Sequence, residues 1–171
     1  MKARTKTQKI AFMGLMFALA MVLSLLEGMM PPVAALPPGV KLGLSNIVSM
    51  YCIFSVGKQY AFLLTVLKAI FVFLTRGFTA AVLSLSGGIL SVAVMCFILW
   101  ITRDKCSYLF VSVLGAISHN FGQIVVASLI LETKLYIYYF PILLISGLVC
   151  GTITSCIIRV VMPHINKIME K

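Results

Sequence analysis

Residues 79–101 read Thr79-Ala80-Ala81-Val82-Leu83-Ser84-Leu85-Ser86-Gly87-Gly88-Ile89-Leu90-Ser91-Val92-Ala93-Val94-Met95-Cys96-Phe97-Ile98-Leu99-Trp100-Ile101, without one charged side chain. Coiled as an α-helix at ~1.5 Å per residue, this stretch is long enough to cross the ~30 Å hydrocarbon layer of a bilayer. Inside lipid only a helix or a closed barrel satisfies the backbone, and the run lacks the alternation of a barrel strand. It therefore predicts a transmembrane helix. The rest of the chain agrees. Of its 171 residues, 61% are hydrophobic and 11% charged, and its mean hydropathy is +1.12. A soluble domain carries ~25% charged residues, so a water-soluble globule is excluded. Disorder is excluded too, because so apolar a chain has ample surface to bury.

Working outward, five further apolar runs are read as spans, at 10–30, 42–56, 60–75, 108–131 and 135–162, the second being the shortest. The expected fold is all-α: an integral membrane bundle of six transmembrane helices in a single membrane domain, residues 1–171. Trp100, Tyr108 and the cluster Tyr136-Ile137-Tyr138-Tyr139 fall at span ends, where aromatic rings favour the headgroup layer. The basic start Lys2-Ala3-Arg4-Thr5-Lys6-Thr7-Gln8-Lys9 resembles a signal peptide, but the following apolar run is too long for one, so a retained first helix is expected.

The cations then set the orientation. With the N-terminus inside, Lys2, Arg4, Lys6, Lys9, Lys58, Arg103, Lys105, Arg159, Lys167 and Lys171 lie on the cytoplasmic side, against Lys41, Arg76 and Lys134 outside. This bias places both termini in the cytoplasm of a multi-pass cell-membrane protein. The net charge of +10 is thus a topology signal rather than a nucleic-acid footprint. Between the first two spans, Pro31-Pro32-Val33-Ala34-Ala35-Leu36-Pro37-Pro38-Gly39 cannot be helical throughout. It is expected as a stiff turn or as a lid over an outward-facing cavity.

The acids number four, Glu27, Asp104, Glu132 and Glu170, and no two lie close in sequence. That argues against a carboxylate cluster for magnesium or a carboxylate pair for glycoside hydrolysis. Two histidines, His119 and His164, and five cysteines without a C-x-x-C pair show no zinc spacing. The phosphate-loop pattern G-x-x-x-x-G-K-[ST] is absent. No catalytic residue, metal site or cofactor is expected, and no nucleic acid as partner.

What remains is binding. Lys68 stands inside the third span, where a cation normally faces protein, water or a ligand. Arg76, eight residues on, projects ~80° around the same helix axis. No acid in the sequence is an obvious partner for both, so an anionic ligand is expected. Ser84, Gly88 and Ser91 share a face of the fourth span, with Gly87 adjacent. Ser112, Gly115, His119 and Gly122 share a face of the fifth, flanked by Asn120 and Gln123, and Asn46 lies in the second. Each also has a packing reading, since small residues let helices approach closely and buried polar groups bond across helices. The small face Gly147, Cys150, Gly151 and Thr154 is read as packing. Ala11, Gly14 and Ala18 line one face of the first span, for contact within the chain or for a partner membrane protein.

Three blocks carry a family likeness: Lys41-Leu42-Gly43-Leu44-Ser45-Asn46-Ile47-Val48, Leu83-Ser84-Leu85-Ser86-Gly87-Gly88-Ile89-Leu90-Ser91 and Gly115-Ala116-Ile117-Ser118-His119-Asn120-Phe121-Gly122-Gln123. In this order they resemble the heptaprenyl diphosphate synthase component I family, also called the Gx transporter family, which usually has arginine where Lys68 stands. The enzyme name implies a non-catalytic membrane subunit of polyprenyl diphosphate synthesis. Catalysis would lie elsewhere, because prenyl synthases hold magnesium diphosphate on aspartate-rich motifs and this chain has one aspartate, Asp104. The six-span layout, proline-rich first loop and small-xxx-small first helix resemble instead the S-components of energy-coupling factor (ECF) transporters. That resemblance implies a substrate-binding membrane subunit for a small amphipathic, anionic solute of vitamin-like, flavin-like or isoprenoid-diphosphate type. Separate ECF coupling and ATPase subunits would energise it. The expected ligand-binding set is Asn46, Lys68, Arg76, Ser84, Gly87, Gly88, His119, Asn120 and Gln123. In S-components a first-span Ala-x-x-x-Ala patch docks the coupling subunit, and here Gly14 replaces the first alanine and Ala18 supplies the second.

Overall fold

The computed structural model describes residues 6–29, 44–103, 105–132 and 135–169. The proline-rich stretch 31–39, Lys41 and Asp104 lie outside the described residues. Those described form six helices: α1 (Lys6–Met29), α2 (Asn46–Ser55), α3 (Lys58–Arg76), α4 (Phe78–Ile101), α5 (Tyr108–Ile130) and α6 (Leu135–Met169). The fold is an all-helical membrane bundle. Five of the helices are long and apolar enough to cross a bilayer. The second departs from the reading of 42–56 as a span: α2 has 10 residues, about half the length a crossing needs.

Contacts between the helices show how the chain nevertheless returns through the bundle. The amide of Leu44 donates to Glu27 near the end of α1 at 3.4 Å. At the far end of α2, the Tyr51 ring meets Phe12 at 6.0 Å between centroids, and the Cys52 thiol reaches the Met13 sulfur at 3.7 Å. So α2 descends antiparallel to α1, and residues 44–56 cover the depth from Glu27 to Met13. Arg76 at the end of α3 then meets Ser24 near the end of α1, which makes α1 and α3 parallel. The pairs α3–α4, α4–α5 and α5–α6 are antiparallel. The directions alternate, so the start of α1 and the end of α6 lie at one end of the bundle. Lys58, Arg103, Lys105 and Arg159 belong to that same end, and Arg76 to the opposite one.

Why α2 can be so short follows from its surroundings. Val48, Met50, Tyr51, Cys52 and Ile53 are buried in a core with Met16 and Ala20 of α1, Leu64 of α3, Val92 and Met95 of α4, Val111 of α5 and Ile158 of α6. The longer helices shield it from lipid and present their apolar side chains outward, among them Leu74, Phe78, Trp100 and Leu129. Sharp reversals on either side of α3 use Gly57 (φ 137°) and Gly77 (φ 85°), a backbone region that side chains strongly disfavour.

Between lipid-facing helices, association rests on close packing rather than on the hydrophobic effect. The α5–α6 seam shows this. A Cβ built at Gly151 would sit 2.5 Å from the Cα of Val113, and the Ser112 hydroxyl donates to the Gly151 carbonyl at 2.7 Å. The α4–α5 seam is similar: a Cβ at Gly122 would lie 3.0 Å from the Cα of Gly87. The packing reading of Gly147 and Gly151 agrees with this geometry, whereas Cys150 and Thr154 of the same face border a void in the bundle.

Candidate ligand-binding site

At the Arg76 end, α1, α3, α4, α5 and the turn before α2 converge on a polar cavity of about 350 Å³, measured out to its open mouth. Lys68 projects into it from the middle of α3. The residue is only 3% exposed, and its ammonium donates to the Ser45 hydroxyl at 2.9 Å. Arg76 enters from the end of the same helix. Its guanidinium donates to the Ser24 carbonyl and lies over Gly28, where any side chain would overlap it. The two cations therefore line one cavity.

The structure supplies a counter-charge that the sequence reading did not assign. Glu27 on α1 is 8% exposed, borders the cavity and lies within electrostatic reach of both Lys68 and Arg76. The expectation that no acid partners the two cations is thus corrected. Helix α1 rises beside α3 in parallel, which brings residues about 40 and 50 positions apart in sequence to one level. The formal balance of the three side chains is one positive charge in excess. A signal for Glu27 was present, since an ionisable residue inside an apolar run marks a functional site by default.

From the other side, α4 contributes Ser84 and Ala80, and α5 contributes His119 and Gln123. His119 is buried, and its Nδ1 has no hydrogen-bond partner among the described residues. Of the expected ligand-binding set, then, Lys68, Arg76, Ser84, His119 and Gln123 share this cavity. Four others do not. Asn120 turns to α6, where its amide donates to the Leu143 carbonyl at 3.2 Å and to the Ser146 hydroxyl at 2.8 Å. Gly88 faces Thr65 across the α3–α4 seam, and Gly87 is pressed against His119 and Gln123. Asn46 points past the cavity into a separate void deeper in the bundle. Sequence reasoning missed Ser24, Glu27 and Ser45, which border the cavity from α1 and from the turn that leads into α2.

Ala11, Gly14 and Ala18 are all exposed on the outer side of α1, and no atom lies within 4 Å of a Cβ built at Gly14. Among the described residues this face of α1 is therefore open at Gly14.

The same architecture occurs in a solved protein. The chain is similar to the S component of a bacterial ECF transporter, with a TM-score of 0.70 at 16% sequence identity over 98% of this chain and 100% of that one. Among curated proteins none matches it. Residues 16–161 match the family model described as heptaprenyl diphosphate synthase component I, and the chain belongs to that family.

Proposed function

We propose that the protein is a substrate-binding membrane subunit of S-component type, taking up a small amphipathic, anionic solute through the cavity at its Arg76 end. The observation that carries this reading is the buried Lys68 and the half-buried Arg76 facing one polar cavity with a single carboxylate, Glu27, beside them. Cations held inside a membrane bundle are costly, and an anionic group of a solute would offset the charge in excess. Ser84, His119 and Gln123 would orient that group with hydrogen bonds. The topology of an ECF transporter S component supports the same reading at the level of fold.

In this proposal the end bearing Lys58, Arg103, Lys105 and Arg159 is cytoplasmic, as the excess of positive charge there favours, and both termini lie on that side of the cell membrane. The cavity then opens outward, below the proline-rich stretch 31–39. Energy would come from a separate transmembrane coupling protein and ATPases, docked on the open face at Ala11, Gly14 and Ala18. The experiment is native mass spectrometry of the gently purified protein. A retained anionic molecule that disappears in Lys68→Met, with loss of its uptake in cells, is expected. Uptake untouched by the substitution would overturn the reading.

The family's description favours a second reading, a non-catalytic membrane subunit of a polyprenyl diphosphate synthase. Co-purification separates the two. Recovery of an aspartate-rich synthase whose activity needs this chain supports the second; recovery of a coupling protein with ATPases supports the first.

A further inference from the structure

Below the cation cavity lies a second, smaller void, with room for about one water-sized group. The two follow one another along the bundle. Ser45 borders the first and Asn46 the second; on α4, Ser84 borders the first and Ser91 the second; on α5, His119 borders the first and Ala116 the second. Seven helical residues separate Ser84 from Ser91, a depth of about 10 Å.

This deeper void is polar in an unusual way. Asn46 and Ser91 are 7% and 1% exposed, and the Asn46 Nδ2 and Ser91 Oγ both lack a hydrogen-bond partner among the described residues. Buried polar atoms without partners are rare, because leaving a donor unpaired away from water is costly. The neighbouring walls are adaptable. Met50 and Met95 are flexible thioethers that repack readily, and Met95 packs directly on Gly115, where a Cβ would lie 2.8 Å from it.

We propose that this void is a second subsite, which takes an uncharged hydroxyl or carbonyl group of the solute while its anionic group rests on Lys68 and Arg76. The inference builds on the solute-binding reading above and narrows it. The solute has an anionic head, an apolar body and a hydrogen-bonding group one subsite deeper in the bundle. An acceptor oxygen there meets the Asn46 amide, and a hydroxyl also donates to Ser91. Compact anions fill only the first cavity, and plain alkyl tails leave the two polar atoms unpaired.

The test uses the full-length protein in detergent with three probes: butyl phosphate, octyl phosphate and ω-hydroxyoctyl phosphate. Partition of each probe into detergent is the same for every protein variant, so ratios between variants are meaningful. In the unaltered protein ω-hydroxyoctyl phosphate is expected to bind about fivefold more tightly than octyl phosphate, the size of one added buried hydrogen bond. Ser91→Ala should bring that preference to within about twofold, and Lys68→Met should weaken both probes at least about tenfold. A second readout needs no variant. Cys150 borders the deeper void, and ω-hydroxyoctyl phosphate should slow its alkylation by N-ethylmaleimide, read by peptide mass spectrometry, where butyl phosphate does not. If Lys68→Met weakens both octyl probes but Ser91→Ala leaves the hydroxyl preference unchanged and Cys150 is not protected, the second subsite is overturned while the cation cavity stands. If Lys68→Met changes the binding of no probe, the solute-binding reading itself falls, and the subsite with it.

Discussion

The ammonium of Lys68 donates a 2.9 Å hydrogen bond to the hydroxyl of Ser45, tying the middle of α3 to the N-cap residue of α2. One contact thus joins a cavity cation to the only short helix among those described. Glu27 lies on the other side of the same turn, where its carboxylate accepts from the Leu44 amide. The turn before α2 is held by two of the three charged residues that line the cavity.

Lys68→Met keeps the bulk of the side chain and removes the charge. Arg76 still faces Glu27, so the fold is expected to survive, with a thermal midpoint within a few degrees of the parent. Binding of an anionic solute should weaken at least about tenfold, the value of a charge-assisted hydrogen bond. Lys68→Arg should restore part of it. Native mass spectrometry and a melting curve in detergent measure the two effects separately.

Glu27→Gln preserves the shape of the side chain and an acceptor for the Leu44 amide while raising the formal charge of the cavity by one. Octyl phosphate should then bind several-fold more tightly at low ionic strength, and its affinity should fall more steeply with salt than in the parent. Titrations at two salt concentrations check this. Weaker binding at both would show that Glu27 contacts the solute directly instead of balancing the cations.

Asn120→Leu tests a residue that the structure moves from the ligand set to the α5–α6 seam. It removes two interhelical hydrogen bonds and should cost about 1 kcal/mol of stability, the usual scale for such bonds inside a membrane. Solute affinity should be unchanged. A lowered unfolding midpoint with an unaltered dissociation constant is the expected pair of results; loss of affinity without loss of stability would return Asn120 to the site.

Two glycine substitutions should behave in opposite ways. Gly151→Leu drives a side chain into the backbone of Val113 and should destabilise the bundle by about 1–3 kcal/mol or more, as overpacking does. A side chain at Gly14 starts in open space among the described residues, so in Gly14→Leu melting and solute binding should be as in the parent. Its expected effect is on assembly, with loss of co-purifying coupling subunit and of uptake. Intact assembly in Gly14→Leu would remove the α1 face as the docking surface.

Much of this molecule can be read from one dimension. Long apolar runs with few charges have no other stable home than a bilayer, and in a bilayer the backbone has to close its own hydrogen bonds, so the runs at 79–101 and 108–131 announce helices whose ends fall within a residue of those observed. Lys68 stands out because charge in hydrocarbon is rare, and its inward position follows from that cost alone. Spacing along a single helix also placed Ser84, His119 and Gln123 on faces that do line the cavity.

The tertiary structure decided what no single-helix pattern contains. Which way Asn120 turns depends on which neighbour stands beside α5, and here its amide donates to Ser146 of α6. That α2 can be 10 residues long depends on the helices that enclose it. The pairing of Glu27 with Lys68 and Arg76 depends on α1 and α3 running parallel, which only the return of the chain through α2 brings about. Composition and periodicity are properties of each segment against its solvent; charge balance, cavities and unpaired polar atoms belong to the spaces between segments, and those exist only once the helices have packed.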